Sequence, residues 1–141
     1  MFVLDSRLSN DTRVMGDFAL CRLLLMNDAN YPWFILVPRR EAVSEVFDLD
    51  SPDQLLLWQE TAQLAAFLKQ EFVADKINIA TLGNMVSQLH MHVVVRHTSD
   101  VAWPAPVWGK VAARAYNEAE IDNLRQRLVS ANFAGFSVVE G

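Results

Sequence analysis

The stretch that decides the fold is Gln88-Leu89-His90-Met91-His92-Val93-Val94-Val95-Arg96. Successive side chains of a β-strand point to opposite faces of the sheet. One face of this strand is uniformly apolar and consists of Leu89, Met91, Val93 and Val95. The opposite face carries an amide, two imidazoles and a guanidinium, and it consists of Gln88, His90, His92, Val94 and Arg96. We expect the first face to lie on a core and the second to form a site.

The two histidines of this strand are spaced to act on one small ligand. Alternate residues of a strand lie roughly 6.5 Å apart, so His90 and His92 could reach the same group. An anion is favoured, because amide, imidazole and guanidinium groups all donate hydrogen bonds. Alternating polar residues also occur on the solvent-exposed face of an antiparallel strand. Two alternating histidines that follow a Gly-Asn turn and a Gln favour the site.

The same stretch resembles the signature of the histidine triad (HIT) family, which is His-x-His-x-His followed by two apolar residues. Gln88 stands at the position of the family's first histidine. The preceding turn is similar to the start of the family's Gly-Gln-x-x-x-His-x-His-x-His segment, with Gly83 matching and Asn84 in place of Gln. Upstream, residues 25–39 resemble the family's strand, turn and strand that end in Val-x-Pro. The resemblance covers roughly residues 2–100.

The resemblance implies a nucleotide hydrolase or transferase that acts at the α-phosphorus of a nucleotide ester, anhydride or phosphoramidate. In that family the middle histidine carries the nucleotide as a nucleotidyl-histidine intermediate, and His90 is that residue here. Catalysis is therefore assigned to His90, His92 and Gln88. Nucleotide binding is assigned to Asn27, Asn78, Gly83 and Asn84. The expected substrate is a purine nucleotide or nucleotide conjugate, no cofactor or metal is expected, and the chain is expected to form a homodimer.

The chemistry of the motif agrees with this assignment. Imidazole is a good nucleophile near neutral pH, because a large fraction of it is unprotonated there. The charge on the phosphoryl oxygens then has to be stabilised by positioned donors, for which the candidates are Asn84, Gln88, His92 and the backbone N–H groups of the Gly83 turn. The amide of Gln88 donates and accepts hydrogen bonds but does not ionise. We therefore expect Gln88 to position the phosphate or the leaving group without transferring a proton.

Two other functions remain open. A zinc or iron site could use His90 and His92, but zinc sites need three or four protein ligands, and no third ligand follows at a characteristic spacing. A non-catalytic purine nucleotide-binding protein would keep the pocket and lose turnover, which Gln88 in place of a histidine would permit. Asn27 also has two interpretations: it binds the ribose, as the resemblance implies, or it caps a turn.

Apolar periodicity outside the motif predicts an α+β fold. The predicted elements are a strand or buried helix at 18–26, a strand at 31–37, a helix from 51 to about 72, a strand at 76–81 and a helix from 117 to near 131. Ser51 is the predicted N-cap of the long helix, with Gln54 closing a capping box, and Asn117 with Glu120 forms a second one. Residues 5–13 form either a short helix or a covering arm.

These elements and the resemblance together predict a HIT-like fold. It has an antiparallel sheet of about five strands, one long helix and a C-terminal helical extension. Residues 1–100 form the HIT-like nucleotide-binding domain. Residues 101–141, with a Trp/Pro segment and the last helix, belong to the same domain.

Composition narrows the class of protein. A chain of 141 residues is the size of one domain. The net charge of −5 argues against nonspecific nucleic-acid binding, which depends on Lys and Arg meeting phosphates. No apolar run is long enough to span a membrane and no leader is recognisable, so we expect a cytoplasmic protein without a membrane partner. The single Cys21 excludes a disulfide framework and is expected to pack as a small apolar residue in a strand.

Overall fold

The protein folds into one antiparallel sheet flanked by helices. The computed structural model describes residues 1–139. Within these residues the strands are β1 (Thr12–Asp17), β2 (Cys21–Met26), β3 (Trp33–Pro38), β4 (Lys76–Ala80), β5 (Met91–Arg96) and β6 (Ser137–Val138). They form one sheet in the order β4-β5-β3-β2-β1-β6, and every neighbouring pair is antiparallel. The predicted α+β fold with an antiparallel sheet is confirmed. The described part of the sheet has six strands rather than about five.

The extra strands lie at the edge of the sheet that the sequence left undetermined. Of residues 5–13, Ser6–Asp11 form the short helix α1, and β1 follows it directly from Thr12. Asp5 caps α1 by accepting a hydrogen bond from the backbone N–H of Arg7. β6 contributes two residues and pairs with β1 at Gly16. A Cβ at Gly16 would lie 2.4 Å from the ring of Phe136, so this close pairing requires glycine.

The long helix α2 (Ser51–Glu71) packs one face on the sheet. The apolar periodicity that predicts this helix corresponds to its buried stripe, in which Leu57, Leu64 and Leu68 are all fully buried. The predicted cap is wrong by one residue. Asp50 is the N-cap and accepts from the N–H of Asp53, because an Asp side chain one residue earlier is available for the same role. The side chain of Gln54 instead donates to the carbonyl of Leu49.

A buried carboxylate joins α2 to the start of β2. The two oxygens of Glu60 accept from the backbone N–H groups of Leu20 and Cys21 at 2.9 and 2.8 Å. Cys21 itself is fully buried in β2, which confirms that it packs as a small apolar residue. Burial, together with the nearby Glu60, raises the pKa of the Cys21 thiol. The thiol therefore stays protonated and belongs to the core.

The last helix, α3 (Glu118–Ala131), begins where the sequence predicts. Asn117 accepts from the N–H of Glu120, and the side chain of Glu120 accepts from the N–H of Asn117, so the predicted capping box is confirmed. Ile121 and Leu128 of this helix join the same core as α2.

Both faces of β5 are buried, and they lie in different environments. Met91, Val93 and Val95 join the core beneath α2 and α3, which confirms the predicted apolar face. Val94 joins a second apolar cluster on the opposite face of the sheet. α1 and residues 101–109 cover that face through Leu8, Ala102 and Val107, so the polar side of the strand is enclosed and not solvated. Among residues 1–139 no helix combines the length and apolarity that crossing a membrane requires.

Candidate active site

His90 lies just before β5, and one of its ring nitrogens is committed to the backbone. Its Nδ1 lies 2.7 Å from the carbonyl oxygen of Gln88. A carbonyl oxygen only accepts hydrogen bonds, so Nδ1 carries the proton and donates it. In the neutral ring Nε2 then holds the lone pair. His90 is buried, with 5% of its surface exposed.

His92 is the second residue of β5, and its ring lies against that of His90. The two ring centroids are 4.9 Å apart at an interplanar angle of 69°. The indole N–H of Trp33 donates to Nδ1 of His92 over 3.0 Å. Burial disfavours the imidazolium form and lowers the pKa of His92 to about 3, with a smaller contribution from the neighbouring His90. The structure thus brings the two predicted histidines together, and it keeps His92 neutral.

Both histidines line a cavity of about 290 Å³. Gly83 and Asn84, which the sequence assigns to nucleotide binding, line it as well. Gly83 has a φ of +75°, a conformation that glycine adopts without steric cost. The remaining lining residues are mostly apolar and include three side chains from the N-terminal part of the chain: Leu8, Asp11 and Met26. The cavity therefore combines hydrogen-bond donors with apolar walls, as small-molecule sites usually do.

Gln88 departs from its expected place. β5 begins only at Met91, so Gln88 and His90 do not share a strand face, and the prediction of one continuous row is wrong. The side-chain oxygen of Gln88 accepts from the N–H of Asp5 at 2.8 Å, and its Nε2 donates to the carbonyl of Val3 at 2.9 Å. Gln88 does not line the cavity of the two histidines. Its amide is occupied by the N-terminal segment that leads into α1.

Arg96 and Asn78 form a separate buried group. Arg96 is 1% exposed, and its guanidinium makes two bonds to the carboxylate of Asp100, at 2.8 and 3.1 Å. It also donates to the side-chain oxygen of Asn78 and to the carbonyl of Ala105. The hydrogen bonds from Arg96 help to hold the pKa of Asp100 at about 2, against the opposing effect of burial. Arg96 is thereby neutralised and not available to an anion, and the side-chain oxygen of Asn78 is engaged with it.

Asn27 lies at a second cavity, of about 420 Å³, that adjoins the first. The two cavities share Asp11, Met26 and Trp108 as lining residues. The side-chain oxygen of Asn27 accepts from the backbone N–H of Tyr116 at 2.9 Å. This bond links the β2–β3 turn to the segment before α3 and is not a local turn cap. The side chain that caps the turn is Asp28, which accepts from the backbone N–H of Asn30 at 3.0 Å.

Two tryptophans of the site were not predicted. Trp33 contacts His92, and Trp108 lies between the two cavities with its ring 5.0 Å from that of His92. Trp33 lies on the same face of β3 as Ile35, and Ile35 pairs with His92 of β5. The alternation of β3 therefore indicated the face on which Trp33 lies. Trp108 lies on a loop, and no periodic pattern in the nearby sequence predicts its position.

His97 and the cavity beside α3 lie apart from the cavity that His90 and His92 line. His97 is bonded through Nε2 to the carbonyl of Phe72 at the end of α2. A larger cavity of about 450 Å³ lies beside the start of α3 and contains no histidine. In the part of the chain that the structure describes, no three His, Cys, Asp or Glu side chains form a group that could hold a metal ion.

Comparison with known proteins gives a consistent result. The sequence model of the HIT domain matches residues 7–99. A histidine triad protein from Bradyrhizobium japonicum is 43% identical with a TM-score of 0.91, and the match covers 94% of this chain and 98% of that one. A histidine triad protein from Sinorhizobium meliloti 1021 is 45% identical with a TM-score of 0.91, over 93% and 97% of the two chains. One from Marinobacter aquaeolei VT8 is 43% identical with a TM-score of 0.91, over 93% and 96%. Among curated proteins there is no significant match.

Proposed function

The chain belongs to the HIT domain family, and on that basis we propose that it is a hydrolase or transferase acting at the α-phosphorus of a purine nucleotide ester, anhydride or phosphoramidate. Family membership supports nucleotide binding and hydrolase or transferase activity in general. The specific mechanism rests on this chain's own residues. The observation that carries it is the bond from Nδ1 of His90 to the carbonyl of Gln88, which places the lone pair of the neutral ring on Nε2. The ring itself lines the cavity.

The reaction proceeds through two displacements at phosphorus. The Nε2 lone pair of His90 forms a bond to the α-phosphorus, and the leaving group departs with the electron pair of the bond that breaks. The nucleotidyl-histidine so formed carries positive charge on its ring, and the carbonyl of Gln88 already accepts from Nδ1–H. A hydrogen bond to a charged donor is stronger than a neutral one, so this carbonyl stabilises the intermediate. A water oxygen then attacks phosphorus, the P–N electron pair returns to Nε2, and a proton passes to solvent.

Donors around the cavity stabilise the phosphoryl oxygens. His92, the side chain of Asn84 and the backbone near Gly83 line the same cavity as His90. Removing one such donor usually costs about 2.7–4 kcal/mol of transition-state stabilisation. His92→Asn should therefore slow turnover without abolishing it, unlike the loss of the nucleophile.

The adjoining cavity is suited to the nucleoside. It is lined by apolar side chains such as Val107 and Trp108 together with polar groups of the β2–β3 turn, among them Asn27. We assign the N–H₂ of Asn27 to a ribose oxygen, because its side-chain oxygen is taken by Tyr116. Asn78 is assigned to support of Arg96 and not to the nucleotide, since its oxygen accepts from that guanidinium.

The leaving group has no ionisable partner at the first position of the motif. Gln88 does not titrate, and its amide is bonded to the backbone of Val3 and Asp5. Substrates whose leaving group departs without a proton should therefore react fastest. In this proposal Gln88 acts on the site through the N-terminal segment.

A homodimer is part of the proposal. β4 is an outer strand of the sheet, and Ile79 on it is 41% exposed. An outer strand offers unpaired backbone groups to a second copy. Light scattering at micromolar concentration should report twice the mass of the chain, and a monomer would remove this part of the proposal.

The experiment that tests the function is release of nucleoside monophosphate from a panel of adenylyl compounds. The panel should contain amine, sulfate, sugar and second-nucleotide leaving groups, with and without a chelator. His90→Asn should lose several orders of magnitude in turnover and still bind the nucleoside monophosphate. His97→Asn is the matched control, because His97 is bonded at the end of α2 and does not line the cavity.

The outcomes separate the candidate functions. Retention of more than roughly a tenth of wild-type turnover by His90→Asn would refute the covalent mechanism. Binding without turnover by the wild-type protein would identify a non-catalytic nucleotide-binding protein. Loss of turnover on chelation would indicate a metal-dependent reaction instead.

A further inference from the structure

The bond between Trp33 and His92 has a fixed direction. The indole Nε1 of Trp33 lies 3.0 Å from Nδ1 of His92. An indole N–H can donate a hydrogen bond and cannot accept one. Nδ1 of His92 must therefore be the acceptor, and it carries no proton. A neutral imidazole has one proton, so in His92 this proton lies on Nε2.

The surrounding rings hold His92 in this orientation. Its ring centroid lies 5.8 Å from that of Trp33, 5.0 Å from that of Trp108 and 4.9 Å from that of His90. His92 is 4% exposed and Trp33 is 6% exposed, so water does not compete for the bond. A flip of the imidazole would replace the accepting nitrogen with a C–H group opposite the indole N–H.

A second proton on His92 is disfavoured by the same contact. Protonation of Nδ1 would set two N–H donors against each other and break the bond to Trp33. Burial and the adjacent His90 already lower the pKa of His92 to about 3. Besides His92, the titratable groups that line the cavity of the two histidines are His90, from the segment before β5, and Asp11, from the end of α1. The other residues that line this cavity carry no charge.

We propose that Trp33 is a positioning residue whose indole N–H holds His92 as the neutral tautomer with its proton on Nε2, so that His92 serves as a fixed hydrogen-bond donor to the phosphoryl group. The inference deepens the proposed function and rests on it for the phosphoryl group. The two histidines then have opposite tautomers. His90 is protonated on Nδ1 and offers a lone pair, whereas His92 accepts on Nδ1 and offers a proton.

This role depends on the N–H of Trp33 and not on its size. Trp33 also packs among Tyr31, Val94 and Val107 in the second apolar cluster. Phenylalanine would keep most of that packing and remove the donor. Trp33→Phe therefore separates a positioning role from a purely structural one, and Trp58→Phe is the matched control because Trp58 is 53% exposed on α2.

The first test needs no variant. Long-range ¹H–¹⁵N NMR spectra of the ¹⁵N-histidine-labelled wild-type protein should show His92 protonated on Nε2 only, between pH 5 and pH 8 (about the range in which an ordinary histidine titrates). The spectra of Trp58→Phe should be the same. A proton on Nδ1 of His92 in the wild-type protein would overturn the proposal.

The second test compares Trp33→Phe with these spectra and with turnover. A neutral hydrogen bond is worth about 1 kcal/mol, so the ratio of the two tautomers should shift about fivefold towards Nδ1–H. The pKa of His92 should rise by about 0.7 for the same reason. On the most reactive adenylyl substrate, kcat should fall by up to about fivefold with KM little changed. An unchanged tautomer ratio in a folded Trp33→Phe protein would refute the positioning role.

The two tests also distinguish this inference from the proposed function. If no adenylyl compound is turned over but His92 shows the Nε2–H tautomer and responds to Trp33→Phe, the proposed reaction fails and the tautomer assignment stands. If turnover is present and Trp33→Phe leaves both kcat and the spectra unchanged, the positioning role fails and the reaction stands.

Discussion

Replacing Gln88 with alanine should loosen the N-terminal segment and leave the chemical step largely intact. Gln88 makes two bonds to the backbone, one from Asp5 N–H at 2.8 Å and one to the carbonyl of Val3 at 2.9 Å. Each neutral bond contributes about 0.5–1.5 kcal/mol, and water can replace part of both because the side chain is half-buried. We expect Gln88→Ala to lower the free energy of unfolding by about 1–2 kcal/mol, which for a domain of this length lowers Tm by roughly 3–8 °C.

The effect on turnover follows from the position of α1. Asp5 caps this helix, and Leu8 and Asp11 from it line the cavity of the two histidines. A loosened helix weakens substrate binding, so KM should rise severalfold while kcat stays within about threefold of wild type. The assays are urea unfolding, protease cleavage within residues 1–5, and steady-state kinetics. Gln54→Ala is the matched control, because the Gln54 side chain makes one backbone bond, to Leu49, away from the cavity.

A different set of results would refute this reasoning. A loss of about a hundredfold or more in kcat, with stability and protease resistance unchanged, would show that Gln88 acts on the reacting groups directly. Gln88→His gives a second criterion. If that variant selectively accelerated substrates with basic leaving groups, the side chain at position 88 would reach the leaving group, and the assignment to the N-terminal segment would fail.

Two further predictions concern Asn27 and His92. Asn27→Ala should weaken binding of ribonucleotides by about 1–2 kcal/mol and leave binding of a 2′,3′-dideoxy analogue unaffected. Titration calorimetry measures both affinities, and equal losses for the two ligands would mean that Asn27 acts only through its bond to Tyr116. Folding lowers the pKa of His92 from 6.5 to about 3. Between these pH values the unfolded chain binds a proton at His92 that the folded chain does not bind. The titration of His92 therefore leaves the free energy of unfolding unchanged above pH 6.5 and decreases it as the pH falls towards 3. The total decrease is on the order of 3–5 kcal/mol. Urea unfolding from pH 7 to pH 4 should therefore show a shallower pH dependence of stability in His92→Gln than in the wild-type protein. Identical slopes in the two proteins would contradict this prediction.

Local pattern was sufficient for the elements whose signals lie within a few residues. The capping box of Asn117 and Glu120, the apolar stripe of α2 and the alternation of β5 depend on helix and strand periods, and these periods are fixed by the backbone. The pairing of β2 with β3 follows from a turn at 27–30 between two apolar runs. The position of His90 and His92 beside Gly83 and Asn84 was also predicted from the sequence, through the resemblance of these residues to a family motif.

Tertiary structure decided which groups the polar residues of the motif contact. Gln88 and Arg96 were expected in one row with the histidines, but partners outside the strand determined their roles. Val3 lies 85 residues from Gln88, and Asp100, on the loop after β5, binds Arg96 beneath the covering segment. Trp33 lies 59 residues from His92 and meets it because β3 and β5 are neighbours in the sheet. A sequence pattern states which side of a strand a residue occupies, whereas its hydrogen-bond partner depends on strand order and on the loops that cover the sheet. For this reason the sequence determined where the two histidines lie, and only the folded chain determined which nitrogen of each carries the proton.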